Sequence, residues 1–444
     1  MREDFRRLFA VVLVTVAVGV MAPVRQAMAH GDWGHVHVTG WAIENLPNGE
    51  LRELFSDPEV ASAALYGAAF PDAGYWPNES ATREFAEYSH WEPFVQGFVE
   101  YLRANHPPPF ETAESRKLVG FLLGCAAHGL QDEIFDSTFL FQVDERDDFG
   151  QDEADAGTDF FLYDDGHARF EVAEFVPYDA LLELYADLPI EVSEETIRHG
   201  VETQNTTYLN RENYALFSDL FVDDSRARIP WTSRHYLDAD VPGSLVAEIA
   251  PTMRYMEAIW ERLHGRFDPS NLVVHAFPES PRRLRRHRAD TVDGWVTLIL
   301  GRAIAIGSAA GVLVDADGTT VGATFTGTRW GHPYPRLVRF MPERDLEPGA
   351  IYTARLLPGA ALIGGGQTTT ASDFSFQVSC TDPADPACPD LGPIAVPVID
   401  GSFVPATETD DSSCAITPAR HGAGWLLAPL LLSPLLRRRR RSRP

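Results

Sequence analysis

Residues 119–139 read VGFLLGCAAHGLQDEIFDSTF, and the fold turns on how this stretch is read. His128, Asp132 and Asp136 are spaced i, i+4, i+8. On a helix those side chains lie on one face, one turn apart. Their neighbours Leu122, Leu123, Ala126, Ala127, Ile134 and Phe135 are apolar. Polar groups embedded in an apolar helix are costly unless something satisfies them. A bound cation would satisfy a histidine and carboxylates together. The alternative is a hydrogen-bonded core histidine beside a solvated acidic stripe.

Working outward, residues 30–265 read as helical. Apolar residues recur at three and four in WAIENL, HWEPFVQGFVEYLRANH, DALLELYADL and VAEIAPTMRYMEAIWERLHGRF. Glu111-Thr112 marks a helix start before SRKLVGF. The text then changes. Residues 271–379 hold short alternating runs such as LVVHAF, WVTLILG and FSFQVS, separated by D-x-D-G, E-P-G and G-G-G turns. This spacing predicts a β-sandwich of about seven strands. Residues 340–376 resemble bacterial Ig-like modules in their F-x-P, L-x-P-G-x-x-Y-x-x-x-L and F-x-F pattern. No chemistry is visible there, and spacing or adhesion is the expected role. The expected fold is thus an all-α catalytic domain followed by a smaller Ig-like sandwich.

The 444 residues exceed what one core usually holds, which agrees with two domains. The formal charge of -27 repels nucleic acid and anionic membranes at long range. Much of that charge sits in DERDDFGQDEADAGTDFFLYDD at 144–165. At the N-terminus Arg2, Arg6 and Arg7 precede an apolar run and then Ala27-Met28-Ala29. That pattern predicts a signal peptide over 1–29, with cleavage after Ala29 and a mature chain starting at His30; a membrane anchor is the alternative, for which the apolar stretch is short. Export implies an oxidising compartment. Cys125 lies in an apolar run and reads as buried, and Cys380 and Cys388 are close enough for a local disulfide, which leaves Cys414. A Pro/Asp-rich linker covers 380–420, and 421–444 is an apolar stretch ending in arginines. That tail is similar to the C-terminal sorting tails of myxobacterial surface proteins. The likeness implies a processed tail, a lipid-modified Cys414 and display at a bacterial cell surface or release outside the cell.

Further candidates are scattered. Asp155 and Asp159 are spaced i, i+4 in the acidic run, where solvated carboxylates are the plain alternative. Asp72 in GAAFPDAGYW and His90 in EYSHWEPF are single polar residues among aromatics and prolines. Together, FPD (70–72), SHWEPF (89–94), YLRANHPPPFETAESRKLVGFLLGCAAHGLQD (101–132) and DEADAGTD (152–159) resemble the zinc-dependent phospholipase C family. Within it the likeness is to the N-terminal domain of eukaryotic glycosylphosphatidylinositol-specific phospholipase D. Fungal zinc-dependent single-strand nucleases share the scaffold.

The resemblance implies a cleft with three zinc ions. One would be held by His90, His128 and Asp132. A second would take the backbone amine and carbonyl of His30, with His35 and Asp72, and Asp132 would bridge the two. Asp72 is the position implied to orient or deprotonate the attacking water, which makes it the catalytic candidate. The third set would be Asp136, Asp155 and Asp159. All three are carboxylates where the family uses histidines, so that site suits Ca²⁺, Mg²⁺ or Mn²⁺ as much as Zn²⁺. A free α-amine has a pKa of roughly 7.7–8.0, so coordination by His30 costs little once the leader is removed. The His30 imidazole is a further possible ligand. His37 could replace or supplement His35, since both point to one side of an extended segment, but the spacing from residue 30 favours His35.

These expectations add up to an exported metal-dependent phosphodiesterase acting as a monomer on phospholipid or lipid-anchored substrates, with no nucleic-acid partner. The alternatives are a nuclease or nucleotidase on the same scaffold, or a metal-stabilised surface protein that has lost activity.

Overall fold

The computed structural model describes residues 30–147, 150–278, 283–284, 294–378 and 397–399. The signal peptide, the tail, Cys380, Cys388, Cys414 and nearly all of the linker lie outside the described residues.

The helices are α1 (Asp32–Asn45), α2 (Glu50–Leu54), α3 (Pro58–Ala69), α4 (Ser80–Ser89), α5 (Glu92–Asn105), α6 (Ala113–Ile134), α7 (Leu140–Arg146), α8 (Gln151–Asp164), α9 (Tyr178–Leu184), α10 (Glu194–Thr207), α11 (Arg211–Arg228), α12 (Thr232–His235) and α13 (Ile249–Leu263). Helix α6 starts where the sequence predicts. The Thr112 side chain accepts from the Ser115 amide at 3.0 Å and so supplies one of the partners a first turn lacks. Helix α3 starts with Asp57 as N-cap and Pro58 in its first turn.

The contact between α3 and α6 organises this half. A Cβ on Gly67 would strike the Phe121 carbonyl, and one on Gly124 would strike the Ala64 carbonyl. Two glycines therefore let the helix backbones touch. That approach carries the end of α3, and the Phe70–Gly74 turn after it, onto the second half of α6. The core around it holds Trp33, Trp41, Phe70, Phe85, Phe98, Phe121 and Leu122.

The C-terminal half forms two sheets. One has the order β1 (Val273–Phe277), β3 (Val296–Leu300), β7 (Leu337–Pro342), β6 (Ala323–Thr326), all antiparallel. The other runs β2 (Arg283–Leu284), β9 (Ser372–Val378), β8 (Ile351–Leu356), β4 (Gly311–Asp315), β5 (Thr320–Val321), with only β2–β9 parallel. An apolar core of Leu298, Leu300, Leu313, Phe340, Ala354 and Phe376 is shared by both sheets. Among the described residues nine strands stand where about seven were expected. The extra ones are the two-residue pieces β2 and β5, too short to leave a periodic signal.

The helical core also takes in Phe277, Ile299 and Leu337, so it runs on into the first sheet. Among the described residues no helix is long and apolar enough to cross a membrane.

Candidate metal centre

Five residues expected from the sequence converge. α1 carries His35, the Phe70–Gly74 turn carries Asp72, the C-terminal end of α4 carries His90, and α6 carries His128 and Asp132. All five are buried. They form two groups that share His128: His35, His128 and Asp132 on one side, and Asp72, His90 and His128 on the other.

The distances are short. His35 Nε2 lies 3.1 Å from Asp132 Oδ1, and His128 Nε2 lies 3.3 Å from Asp132 Oδ2. His90 Nε2 is 3.2 Å from Asp72 Oδ1 and 3.5 Å from Asp132 Oδ2. The His90 and His128 Nε2 atoms are 3.0 Å apart.

Each ring is locked from behind. His90 Nδ1 donates to the Ala86 carbonyl at 2.6 Å, and His128 Nδ1 donates to the Ala68 carbonyl at 2.6 Å. His35 Nδ1 donates to Gln131 Oε1 at 2.9 Å, and the Gln131 amide donates to Thr39 Oγ1 at 3.1 Å. With Nδ1 protonated, neutral rings present bare Nε2 lone pairs. Three lone pairs and two carboxylates then aim at one small volume, and among the described residues the buried Asp72 Oδ2 has no hydrogen-bond partner. Such an array repels itself unless a positive charge sits within it. Imidazole and carboxylate donors with Nδ1 tied to carbonyls are what a divalent transition metal requires, so the residues fit that group.

A proton is the alternative occupant. Burial opposes charge on His90, but the Asp72 hydrogen bond and the charges of Asp132 and Asp72 outweigh it and lift the ring to about 9. Burial, then the nearby His35, lowers His128. Burial alone would raise Asp132, yet His128 and His35 hold it well below the usual carboxylate range. Because the folded value of His90 lies above the unfolded one, its proton stabilises the metal-free protein fully below the unfolded pKa near 6.5. That contribution disappears as pH rises through about 9. An entering cation must displace the proton. Calorimetry at pH 7 in buffers of different ionisation heat is expected to show release of at least one proton on cation uptake, since His35 is also held above its ordinary value, with affinity falling at least about tenfold per pH unit below that. Uptake without proton release would contradict this account.

Among the described residues the other candidates join neither group. His30 sits beside His35, with ring centres 5.2 Å apart. The His30 imidazole turns to Glu248, with Nε2 2.9 Å from Glu248 Oε2, and packs on Phe135. His37 is not on the side of His35. The segment is helical, not extended, so residues two apart diverge. His37 Nδ1 donates to the Trp33 carbonyl at 2.8 Å, and its Nε2 accepts from the Arg169 amide at 2.9 Å, which uses both nitrogens.

Among the described residues, Asp136, Asp155 and Asp159 form no group of metal-ligand geometry of their own, and none of them joins either of these two. Asp136 falls in a π-helical turn, Phe135–Phe139, whose extra residue breaks the i, i+4, i+8 line. Its carboxylate accepts from Gln151 Nε2 at 3.1 Å and Trp330 Nε1 at 2.5 Å. Asp155 is buried on α8. Asp159 accepts from the Gly34 amide at 2.7 Å, the Trp33 amide at 3.1 Å and the Tyr214 hydroxyl at 3.2 Å. It therefore satisfies the first turn of α1 from a distant helix, and burial raises its pKa to about 7. Asp159→Ala is expected to cost about 1–2 kcal/mol in thermal or denaturant unfolding, as loss of a cap does, with metal content unchanged. Loss of an ion in mass spectrometry would instead make it a ligand.

The sequence reading missed several residues that matter. Asp32 is buried near Asp72, accepts from Gln204 Nε2 at 2.7 Å, and is pushed well above the usual range by burial and then by the Asp72 charge. Gln131 orients His35. Arg336, from the β half, donates through Nη2 to the His90 carbonyl at 2.7 Å. None of these carries a local motif; each acts through a contact distant in sequence.

The chain is similar to phosphatidylinositol-glycan-specific phospholipase D of Mus musculus, with 29% identity over 168 residues, 35% of this chain and 20% of that protein. The Homo sapiens protein of the same name is 36% identical over 115 residues, 24% of this chain and 13% of that protein. The matches thus span about a fifth or less of these curated relatives. No family profile matches the chain. Among solved structures, CopC from Methylosinus trichosporium OB3b aligns with 25% of this chain and 95% of its own at 18% identity. Its TM-score of 0.20 is too low to inform the fold.

Proposed function

We propose that the chain is an exported, metal-dependent phosphodiesterase of phospholipase C type that hydrolyses phospholipid or lipid-anchor phosphodiesters. The observation that carries this reading is the buried pair of groups sharing His128, with the Nε2 atoms of His35, His90 and His128 aimed at Asp72 and Asp132. The similarity to a phospholipase D named for a phosphatidylinositol glycan supports the substrate class.

His35, Asp72, His90, His128 and Asp132 would hold the ions, joined by the His30 amine once residues 1–29 are removed. The donor set favours zinc. Bound cations supply acidified water near neutral pH and neutralise charge on the phosphodiester. The chain's own residues do the rest. The Ala68 and Ala86 carbonyls and Gln131 hold the three rings in one tautomer. Asp72 Oδ2 is the atom that takes the proton of the attacking water. In this reading 30–265 is the catalytic part, 271–379 an Ig-like sandwich, and 421–444 a surface-sorting tail on a monomer.

The test uses protein with its N-terminus confirmed at His30 by mass spectrometry. About two transition-metal ions per chain are expected, with hydrolysis of phosphatidylcholine and bis-p-nitrophenyl phosphate lost to a chelator and restored by Zn²⁺. Absence of both bound metal and chelator-sensitive hydrolysis would overturn the reading. Preference for single-stranded DNA in the same assay would move the substrate to nucleic acid.

A further inference from the structure

The β half was expected to carry no chemistry, yet its loop between β6 and β7 lies against the metal-site helix. In that loop the Arg329 amide donates to Ser137 Oγ at 3.0 Å, and Trp330 donates to Asp136. His332 stacks on Trp91 with ring centres 3.9 Å apart. Arg336, at the end of the loop, is fully buried. Its amide and Nε reach the two carboxylate oxygens of Glu133, each at 2.7 Å, and Nη2 reaches the His90 carbonyl at 2.7 Å.

The place of that last bond matters. His90 is the C-cap of α4, where helix carbonyls have no partner within the helix. Its carbonyl is also pressed against Gly129, the neighbour of His128. A Cβ on Gly129 would strike the His90 oxygen and lie 2.7 Å from Arg336 Nη2. The His90 backbone is thus held between the metal-site helix and Arg336, while Nδ1 is tied to Ala86. Glu133, the other partner of Arg336, directly follows Asp132.

We infer that Arg336 is a positioning residue: it fixes the backbone of His90, and through it the direction of Nε2, relative to His128. The inference rests on His90 and His128 being ligands, as proposed above. It makes the β half part of the metal site. A guanidinium suits the task because its fork spans two acceptors, whereas a single ammonium cannot.

Arg336→Lys in the full chain keeps a cation beside Glu133 and gives up the His90 carbonyl. Glu133→Gln keeps the His90 contact and weakens the pair. Positioning predicts that Arg336→Lys lowers Co²⁺ affinity about 10- to 100-fold and alters the visible Co²⁺ spectrum, the size seen when a partner behind a ligand is lost. Glu133→Gln loses stability but keeps the wild-type spectrum. A purely structural ion pair predicts reduced stability in both and an unchanged spectrum in both, and that result overturns the inference. If Arg336→Lys does not fold, Arg336→Gln/Glu133→Gln replaces the pair by neutral amides and removes the same reach. The metal-free protein gives an independent arm. Long-range ¹H–¹⁵N spectra should show a single His90 Nδ1–H signal, hydrogen-bonded to the Ala86 carbonyl, in wild type and a shifted or broadened one in Arg336→Lys; no change overturns the inference. If wild type takes up no Co²⁺, the phosphodiesterase reading fails while these spectra still decide the role of Arg336.

Discussion

His128→Gln should strip the protein of bound metal and of hydrolysis together while leaving it folded. His128 is the residue common to both groups, so its loss removes a donor from each. Without it, Asp72 and Asp132 remain in one buried volume with fewer compensating groups. Cation catalysis contributes several kcal/mol to the barrier, so the rate on a phosphodiester should fall on the order of a thousandfold or more. Metal content by mass spectrometry and circular dichroism would be read beside activity. His37→Gln is the matched control. It is a buried histidine on the same helix as His35 but turned away from the cluster, with both nitrogens bonded to Trp33 and Arg169 and its pKa lowered to about 3 by burial. It should lose stability and keep its metal. A full complement of metal in His128→Gln would mean that the cluster is a hydrogen-bond network.

The legible part of this site was its local part. His128 and Asp132 stand one turn apart in an apolar helix, and the structure places them so. Asp136 looked like the next member because the spacing continues, but periodicity assumes an unbroken α-helix and the π turn violates that. His35 joins the cluster, but His37 does not lie beside it as an extended segment would place it. His-Val-His-Val alternates like a strand, whereas α1 is buried along nearly all of its length and so has no polar face to show a helical period. Asp159 looked like one carboxylate in an acidic run. Its task, the first turn of α1, is set by a contact 126 residues away. The β half was legible as short strands and turns. That its loop reaches Asp136, Glu133 and His90 was not, because tertiary contacts between apolar and charged residues leave no spacing rule in either segment.

Gly124→Ala should cost both stability and metal affinity. Alanine is the better helix former by about 1 kcal/mol, which alone would stabilise α6. The new Cβ, however, would strike the Ala64 carbonyl and lie 2.7 Å from the Ala68 amide nitrogen. Those are backbone atoms and cannot turn aside, so α3 and α6 must separate. Overpacking costs typically about 1–3 kcal/mol, and a clash with backbone belongs at the upper end, so a net loss of about 2 kcal/mol is expected in urea unfolding. The separation reaches the site because His128, one turn beyond Gly124, donates to the Ala68 carbonyl at 2.6 Å. When that bond lengthens, the His128 ring is free to change tautomer and direction, and metal affinity should fall about 10- to 100-fold. Gly97→Ala separates this from a general glycine effect. On α5 its added Cβ meets only the Leu184 side chain, at 3.3 Å, which can shift. That variant should gain roughly 0.5–1 kcal/mol and bind metal as wild type does. If the two variants behave alike, the close approach of α3 and α6 is not what holds His128 in place.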